Sequence, residues 1–398
     1  MAKAWKRVKA NKGSAGVDGL SIADTGRELK TRWPSIRERL LNGTYRPMPV
    51  RCVKIPKPGG GERELGIPTV TDRLIQQALL QVLQPLIDPT FSDSSYGFRP
   101  GRNAHAAVLR AQGYVAGGRP IVVDVDLERF FDRVNHDVLM DRLSKRIDDV
   151  PVARLIRRYL QAGMMAGGVV IERYEGTPQG GPLSPILANV LLDDVDRELE
   201  RRGHAFVRYA DDCNVYVRSQ RAGERVLAGL RRLFERLRLR INESKSAVAK
   251  ATERKFLGFS FYVWNGEVRR RVAPKALAAF KDRIRKLTRR NRGESIQQVV
   301  ERLQRYLPGW KAYFRLSQAR STFEELDGWL RHRLRALHLK QWKRGTTMQA
   351  ALLRLGASRS DAAAVAANCR CWWKNSRMRL NRALPTAYFD QLGVPRLA

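Results

Sequence analysis

The sequence predicts an α+β fold in two parts: a mixed body of helices and short strands to about residue 265, then an all-helical, strongly basic region over residues 272–398. Three observations carry this expectation. Ile121-Val122-Val123-Asp124-Val125-Asp126-Leu127 is a continuous apolar, β-branched run broken only by carboxylates, which reads as a buried strand. Tyr209-Ala210-Asp211-Asp212 stands between two short β-branched and aromatic runs, Ala205 to Arg208 and Asn214 to Val217, and reads as a β-hairpin with two acids at its tip. Strand-like runs stop near Tyr262, and cationic helical stretches such as Lys281 to Arg290 take over.

Taken in order, Ala2 to Ala10 is short, basic and weakly amphipathic, and Asn11 to Gly19 is a glycine-punctuated loop. A helix follows from Ile22 to Leu41. Next come two strand signals, Tyr45 to Ile55 and Arg63 to Ile67, around the tip Pro56-Lys57-Pro58-Gly59-Gly60-Gly61, a finger able to close on a substrate. From Asp72 to Leu86 apolar residues recur at helical spacing, with Leu74, Ala78 and Val82 as the core face. Ser184-Pro185 opens a further helix, Ser184 as its cap and Pro185 in its first turn, with Leu187, Leu191 and Val195 on one face. In the C-terminal part, Tyr306, Trp310, Tyr313, Phe314, Trp342, Trp372 and Trp373 interleave with cations. Some of these rings must be core; others suit unpaired bases, because rings stack on bases while Lys and Arg track phosphates.

Charge points to the same partner. Lys and Arg number 75 against 39 Asp and Glu over 398 residues, a formal charge of +36. Such an excess repels itself, and a polyanion relieves it. With 43% apolar residues the chain is no disordered basic tail. The four cysteines, Cys52, Cys213, Cys369 and Cys371, have the spacing of neither a disulfide framework nor a zinc module. No signal peptide is evident and no apolar run nears the roughly 20 residues of a membrane span. The expectation is a cytoplasmic chain associated with nucleic acid, with no membrane partner.

Buried acids need a partner or a cation. If the two acid-bearing elements adjoin in one sheet, Asp126 and Asp211 could hold two Mg²⁺ ions about 3.5–4 Å apart, the arrangement of in-line phosphoryl chemistry. The ordinary alternative is a solvated turn. Asp124 lies two residues before Asp126 and shares its face by strand alternation, so composition does not choose between them.

The order of blocks is more specific than any one block. It runs Lys57-Pro-Gly-Gly-Gly-Glu-Arg63-Glu-Leu-Gly-Ile-Pro68, Tyr96-Gly-Phe-Arg-Pro-Gly-Arg102, Asp124-Val-Asp126-Leu-Glu-Arg-Phe-Phe131-Asp, Gly176-Thr-Pro-Gln179-Gly-Gly-Pro-Leu-Ser-Pro185, Tyr209-Ala-Asp-Asp212, Asn242-Glu-Ser-Lys245 and Phe256-Leu-Gly-Phe259. This series resembles the reverse transcriptases of bacterial group II introns. Tyr306-Leu-Pro-Gly-Trp310-Lys-Ala-Tyr313-Phe-Arg resembles their thumb, or maturase, region, and the stretch from Ala387 to Leu397 is similar to compact members without an endonuclease.

The resemblance implies a right hand: residues 45–265 as fingers and palm, residues 272–398 as a helical thumb or maturase region, and a cleft holding the template–primer duplex. It implies Asp126, Asp211 and Asp212 as the catalytic and metal-ligating set, with two Mg²⁺ ions. It selects Asp126 over Asp124, because the aromatic pair Phe130-Phe131 follows at the family's offset. Phe131 would then collide with a ribose 2′-hydroxyl; the alternative is a core phenylalanine. Arg63 would take triphosphate oxygens bidentately, with Lys57 beside it. Gln179, flanked by Pro178 and glycines, would approach the nucleotide, and Lys245 would donate a proton to leaving pyrophosphate. Arg99, Arg102, Trp310, Lys311 and Tyr313 are the RNA-contact candidates. Implied partners are an RNA template, RNA/DNA duplex, group II intron RNA and deoxynucleoside triphosphates.

One departure is the start, Met1-Ala-Lys-Ala-Trp5, where family members usually carry a further helical extension; residues 1–44 are read as a shortened N-terminal segment. Two rival readings stand beside the polymerase: an RNA-binding splicing maturase that no longer polymerises, and a domesticated host reverse transcriptase in defence or repair. The acids separate the first rival, since a pure binder has no need of three carboxylates in a cationic surface. A DNA-templated polymerase of the same palm type is disfavoured by the finger and thumb blocks.

Overall fold

A computed structural model describes residues 1–56, 60–166, 168–171, 174–178, 180–291, 293–377 and 380–398. Its internal contacts divide it into two units, Met1–Ala251 and Thr252–Ala398. The first unit holds helices α1 (Ala2–Ala10), α2 (Ile22–Leu41), α3 (Val70–Ile87), α4 (Ala104–Ala116), α5 (His136–Ser144), α6 (Val150–Gln161), α7 (Ser184–Arg201) and α8 (Gln220–Arg236). Its strands are β1 (Val50–Pro56), β2 (Glu62–Ile67), β3 (Ile121–Val125), β4 (Met164–Ala166), β5 (Val169–Ile171), β6 (Ala205–Tyr209), β7 (Asp212–Val217) and β8 (Ala247–Lys250).

Helix α2 spans the expected residues, and Ser21 and Asp24 close a capping box at its start. Helix α3 starts earlier than expected: the Thr69 hydroxyl accepts from the Asp72 amide and caps it. The expected face of α3 needs correction. Leu74 of that face is buried, but Val82 is 64% exposed, and burial continues through Ile75, Leu83 and Ile87. The reason is that α3 packs on two sides: Val70 and Leu74 meet Ala4 and Val8 of α1, while Ile75, Leu83 and Ile87 enter the main core. Strand β1 begins at Val50 rather than Tyr45, since the Tyr45 hydroxyl donates to buried Asp72 at 2.8 Å.

The finger strands β1 and β2 are antiparallel, with Ile55 opposite Arg63. They extend into a mixed sheet of order β2-β1-β4-β5. The second sheet, β6-β7-β3-β8, is antiparallel throughout and places Val125 of β3 opposite Cys213 of β7. Alternation sends Val123, Val125, Cys213 and Val215 into a core shared with Leu187, Leu191 and Val195 of α7 and with Leu230 and Phe234 of α8. The opposite face carries Tyr216, whose ring lies 5.8 Å from that of Tyr114 on α4. Helix α8 approaches so closely that a Cβ on Gly223 would come within 2.3 Å of a Val248 methyl. Strand β3 stops at Val125, short of the expected Leu127, because the Glu128 amide turns to donate to the Arg240 carbonyl. Ser184 is not the cap of α7: Leu183 holds that position, and the Ser184 hydroxyl, already in the first turn, donates to the Pro178 carbonyl at 2.8 Å.

The second unit opens with a sheet of order β11-β10-β9, comprising β9 (Lys255–Phe256), β10 (Phe259–Trp264) and β11 (Glu267–Val272). Strand β11 runs past the expected end of strand structure near Tyr262. It is joined to β10 by Asn265-Gly266, both left-handed at φ 49° and 76°, which is the hairpin turn that favours strand twist. Helices follow: α9 (Pro274–Leu287), α10 (Ile296–Phe314), α11 (Arg320–Trp342), α12 (Gly345–Arg354), α13 (Arg359–Ala367), α14 (Trp372–Asn375), α15 (Leu380–Ala383) and α16 (Thr386–Gln391). Phe280, Ile284, Leu303, Leu307, Leu330 and Leu334 are buried among them. Among the described residues no helix is long and apolar enough to cross a membrane.

Candidate active site

Where β3 ends and the β6–β7 hairpin turns, the first unit opens a cleft of about 890 Å³. Asp126 and Asp211 line it together, with Arg63 and Glu64 from β2, Phe130 and Phe131 from the segment after β3, and Asn242 and Lys245 from the loop before β8. The β3–β7 ladder ends at Val125 and Cys213, so both acids leave the strands at the same edge of the sheet. Asp126 is held at its backbone: its amide donates to the Ser246 hydroxyl at 3.0 Å and its carbonyl accepts from the Asn242 amide at 2.8 Å. Its carboxylate meets the Lys245 ammonium at 3.2 Å. Asp124, on the same alternation, does not line the cleft; its strand partner is Asn214.

The hairpin tip is a two-residue turn, with Tyr209 paired to Asp212, so Ala210 and Asp211 are its central residues. Ala210 has φ 58°, a left-handed conformation that an alanine adopts only when its surroundings impose it. Those surroundings are visible. Gly97 lies so close beneath the turn that a Cβ on it would come within 2.2 Å of the Ala210 nitrogen. The fully buried Arg208 guanidinium donates to the Ala210 carbonyl and to the Asn189 amide oxygen, each at 2.9 Å. Its other nitrogens reach Ser95 at 2.8 Å and Asp196, itself fully buried, at 2.6 Å. Asn189 in turn donates to the Gly97 carbonyl at 2.9 Å. One ion pair beneath the sheet edge thus fixes the turn that carries Asp211.

Burial pushes the Asp211 carboxyl above its ordinary range; a backbone hydrogen bond pulls it down, the Asp126 charge raises it again, and Arg63 and Lys245 offset part of the rise. Two carboxylates on one cleft, hard oxygen donors with cations nearby, fit a divalent cation in donor type. The fit covers Asp126 and Asp211. Asp212 is exposed at the start of β7 and does not line the cleft, and among the described residues no group of three or more His, Cys, Asp or Glu side chains is gathered as a metal cage.

The other expected residues divide. Phe131 is half-buried, lines the cleft and packs edge-on against Phe130 at 5.1 Å between ring centres. Lys57 and Gln179 lie outside the described residues. Near Gln179, the Thr177 amide donates to the Phe131 carbonyl and the Gly176 amide to the Val134 carbonyl, each at 2.7 Å, so this stretch runs beside the cleft wall. Arg99 corrects an expectation: its guanidinium is buried, donating to Asp88 at 2.9 Å and to the Ser95 carbonyl at 3.0 Å, because a loop of polar carbonyls folds around it. Arg102 is half-buried, paired with Asp93 at 2.6 Å and lying over the Tyr96 ring.

In the second unit Trp310 is likewise a packing residue, with ring centres of Phe280 and Phe314 at 4.3 and 4.7 Å. Tyr313 is 38% exposed and donates its hydroxyl to the Leu257 carbonyl at 2.9 Å. The Lys311 ammonium donates to the Arg396 carbonyl at 3.2 Å. Sequence reasoning missed Ser246, Asn189, Asp196 and Arg208. The signal for the last two was present: Asp193 and Asp196 interrupt the apolar faces of α7, and a buried acid requires a cation.

Comparison with known proteins agrees with this geometry. Residues 55–261 match the family model described as reverse transcriptase (RNA-dependent DNA polymerase), and residues 277–356 match the group II intron, maturase-specific domain. Protein YkfC of Escherichia coli is 32% identical over 303 residues, covering 66% of this chain and 78% of YkfC. The group II intron-encoded protein LtrA of Lactococcus lactis is 38% identical over 197 residues, 49% of this chain but only 32% of LtrA. A solved chain titled as a partial Cas6-RT-Cas1–Cas2 complex is 28% identical and covers 59% of this chain and 41% of its own, at a TM-score of 0.37 that adds nothing to the fold.

Proposed function

Because the chain belongs to the group II intron reverse transcriptase/maturase family, we propose that it synthesises cDNA on an RNA template and also binds group II intron RNA to assist splicing and mobility. In this reading residues 45–265 are fingers and palm and residues 272–398 the thumb or maturase region. The observation that carries the polymerase is the convergence of Asp126, Asp211, Arg63 and Lys245 on one cleft inside the region matched to reverse transcriptases.

The family implies a divalent metal; we assign it as two Mg²⁺ held by Asp126 and Asp211, with Asp212 beside them, which when bound would lower the pKa of the primer 3′-hydroxyl and neutralise charge on pyrophosphate. The chain's own residues do the rest. The Arg63 guanidinium, at the finger edge of the cleft, takes triphosphate oxygens, with Lys57 and Gln179 assigned to the same nucleotide. Lys245, whose ammonium pairs with Asp126, is assigned to donate a proton to the leaving pyrophosphate. The clamp under Ala210 keeps Asp211 in place without reorganisation as charge develops.

Phe131, on the cleft wall, is assigned to exclude a ribose 2′-hydroxyl. Phe131→Ala is expected to raise ribonucleotide incorporation by about 10-fold or more relative to deoxynucleotides, read as alkali-labile sites in the product. A variant as strict as wild type removes Phe131 from this role. The function itself is tested by extending a labelled DNA primer on an RNA template with Mg²⁺ and deoxynucleotides. Full-length cDNA supports it; a folded, RNA-binding protein that extends nothing transfers the assignment to a splicing maturase, which the maturase-specific match over residues 277–356 also favours.

A further inference from the structure

Helix α11 carries two buried arginines one turn apart whose surroundings differ. Arg331 is charge-paired: its guanidinium meets Asp327 at 2.6 Å and Asp390 at 3.3 Å, while its buried Nε has no hydrogen-bond partner among the described residues. Arg335 is only 5% exposed, and among the described residues no carboxylate is ion-paired with it. Its Nε donates to the Leu384 carbonyl at 2.8 Å, and the guanidinium lies 5.5 Å from the centre of the Phe389 ring. An unpaired buried cation is costly, so a fold that keeps one leaves it to be neutralised from outside. Burial first, then the Arg331 charge, lowers its pKa to about 10, which leaves it cationic at neutral pH.

The space for an anion is present. Arg335 lines a pocket of about 740 Å³ whose wall also includes Lys281 of α9, Trp329 and Gly328 of α11, and Arg377. Lys281 and Arg377 are exposed, which places two exposed cations on the wall beside a buried one. Glu325 also lines the pocket, exposed and without an ion pair to Arg335. Outside the pocket, Arg285 and Arg333 lie over the Trp329 ring at 5.8 and 5.4 Å, so the cationic surface continues along the helix.

We infer that this pocket seats one backbone phosphate of a bound RNA, with Arg335 as its fixed donor and Lys281 and Arg377 closing around it. A guanidinium whose Nε is already held presents its remaining N–H groups in the planar fork that phosphate oxygens accept. RNA is favoured over an acidic peptide by the formal charge of +36 and by the run of cations beyond the pocket. The inference rests on the RNA-binding reading above and names one contact within it.

The test uses the full-length chain and a fluorescein-labelled RNA hairpin, with affinity followed by anisotropy between about 50 and 200 mM salt. Arg335→Gln is expected to lower affinity roughly 10-fold or more and to flatten the log–log salt slope by about 0.7–0.9, the share of one phosphate. Its melting temperature without RNA should be unchanged or higher, whereas an arginine serving only to hold the fold would lose stability. Gly328→Glu is the second variant: nothing lies within 4 Å of the Cβ it would add, and it sets an acid in the pocket wall. It should bind RNA more weakly while melting no lower than wild type. Wild-type affinity and slope in both variants overturns the inference, as does stabilisation by inorganic phosphate alone with an unaltered RNA slope in Arg335→Gln. Primer extension separates the two readings: a chain that shows the slope change but extends nothing loses the polymerase assignment and keeps this pocket.

Discussion

Asp211→Asn is expected to reduce primer extension by at least about 10²–10³-fold while RNA affinity stays near wild type and the metal-free protein becomes more stable. The stability gain follows from sign. The folded carboxyl has a raised pKa because it is buried and faces Asp126. Such a group binds its proton more tightly when folded, so its stabilising contribution is present in acid and is lost as pH rises through the folded value. At neutral pH the ionised Asp211 therefore strains the metal-free protein, and Asn removes that strain. Melting of wild type without metal should fall as pH rises above the ordinary carboxylate value of 3.8, and less so in the variant. Mg²⁺ should raise the melting temperature of wild type and leave that of Asp211→Asn nearly unmoved. Near-wild-type extension by the variant would withdraw Asp211 from the chemistry.

The second large effect lies beneath the cleft. Asp196→Ala leaves Arg208 buried without its counter-charge, a loss of about 3–5 kcal/mol that urea unfolding of the whole chain can read. Replacing both partners, Asp196→Leu with Arg208→Met, should recover much of that stability, because two apolar side chains fill the space without an orphan charge. Extension should not recover with it. The Ala210 carbonyl has then lost the 2.9 Å guanidinium donor that directs the left-handed alanine over Gly97. A double variant that regains full extension along with stability would show that the ion pair serves the fold alone.

The acids of the cleft were legible because a carboxylate inside an apolar run has few tolerable fates, and Asp126 and Asp211 do share one cleft. The bounds of helix α2 were legible, while its Ser21–Asp24 capping box, a signal present in the sequence, was not read. Strand β11 was not, although Asn265-Gly266 is a strong hairpin signal: Arg269, Arg270 and Arg271 hide the alternation behind three like charges. Arginines were the hardest to read. In a chain with this excess of cations each one looks like a phosphate contact, yet Arg99 and Arg208 are turned inward by carboxylates and carbonyls. Arg208 meets Ser95, more than a hundred residues away, and that meeting is decided by how β6 lies against the 92–97 loop. Trp310 shows the same ambiguity for rings, since stacking on a base and stacking on Phe280 ask for the same side chain.

The seam between that loop and β6 has a further consequence. The Tyr96 amide donates to the Arg208 carbonyl at 2.8 Å and the Arg208 amide to the Ser94 carbonyl at 2.9 Å, so the loop is stitched to the sheet as though it were one more strand. There is no room for even a methyl group between Gly97 and Ala210, so the turn is expected to open together with the loop beneath it. The Tyr96 and Arg208 amides, both bonded across this seam, are expected to exchange with solvent deuterium more slowly than amides of exposed loops. Exchange at these two amides, set against that of exposed loop tips, reads how firmly the turn that carries Asp211 is seated.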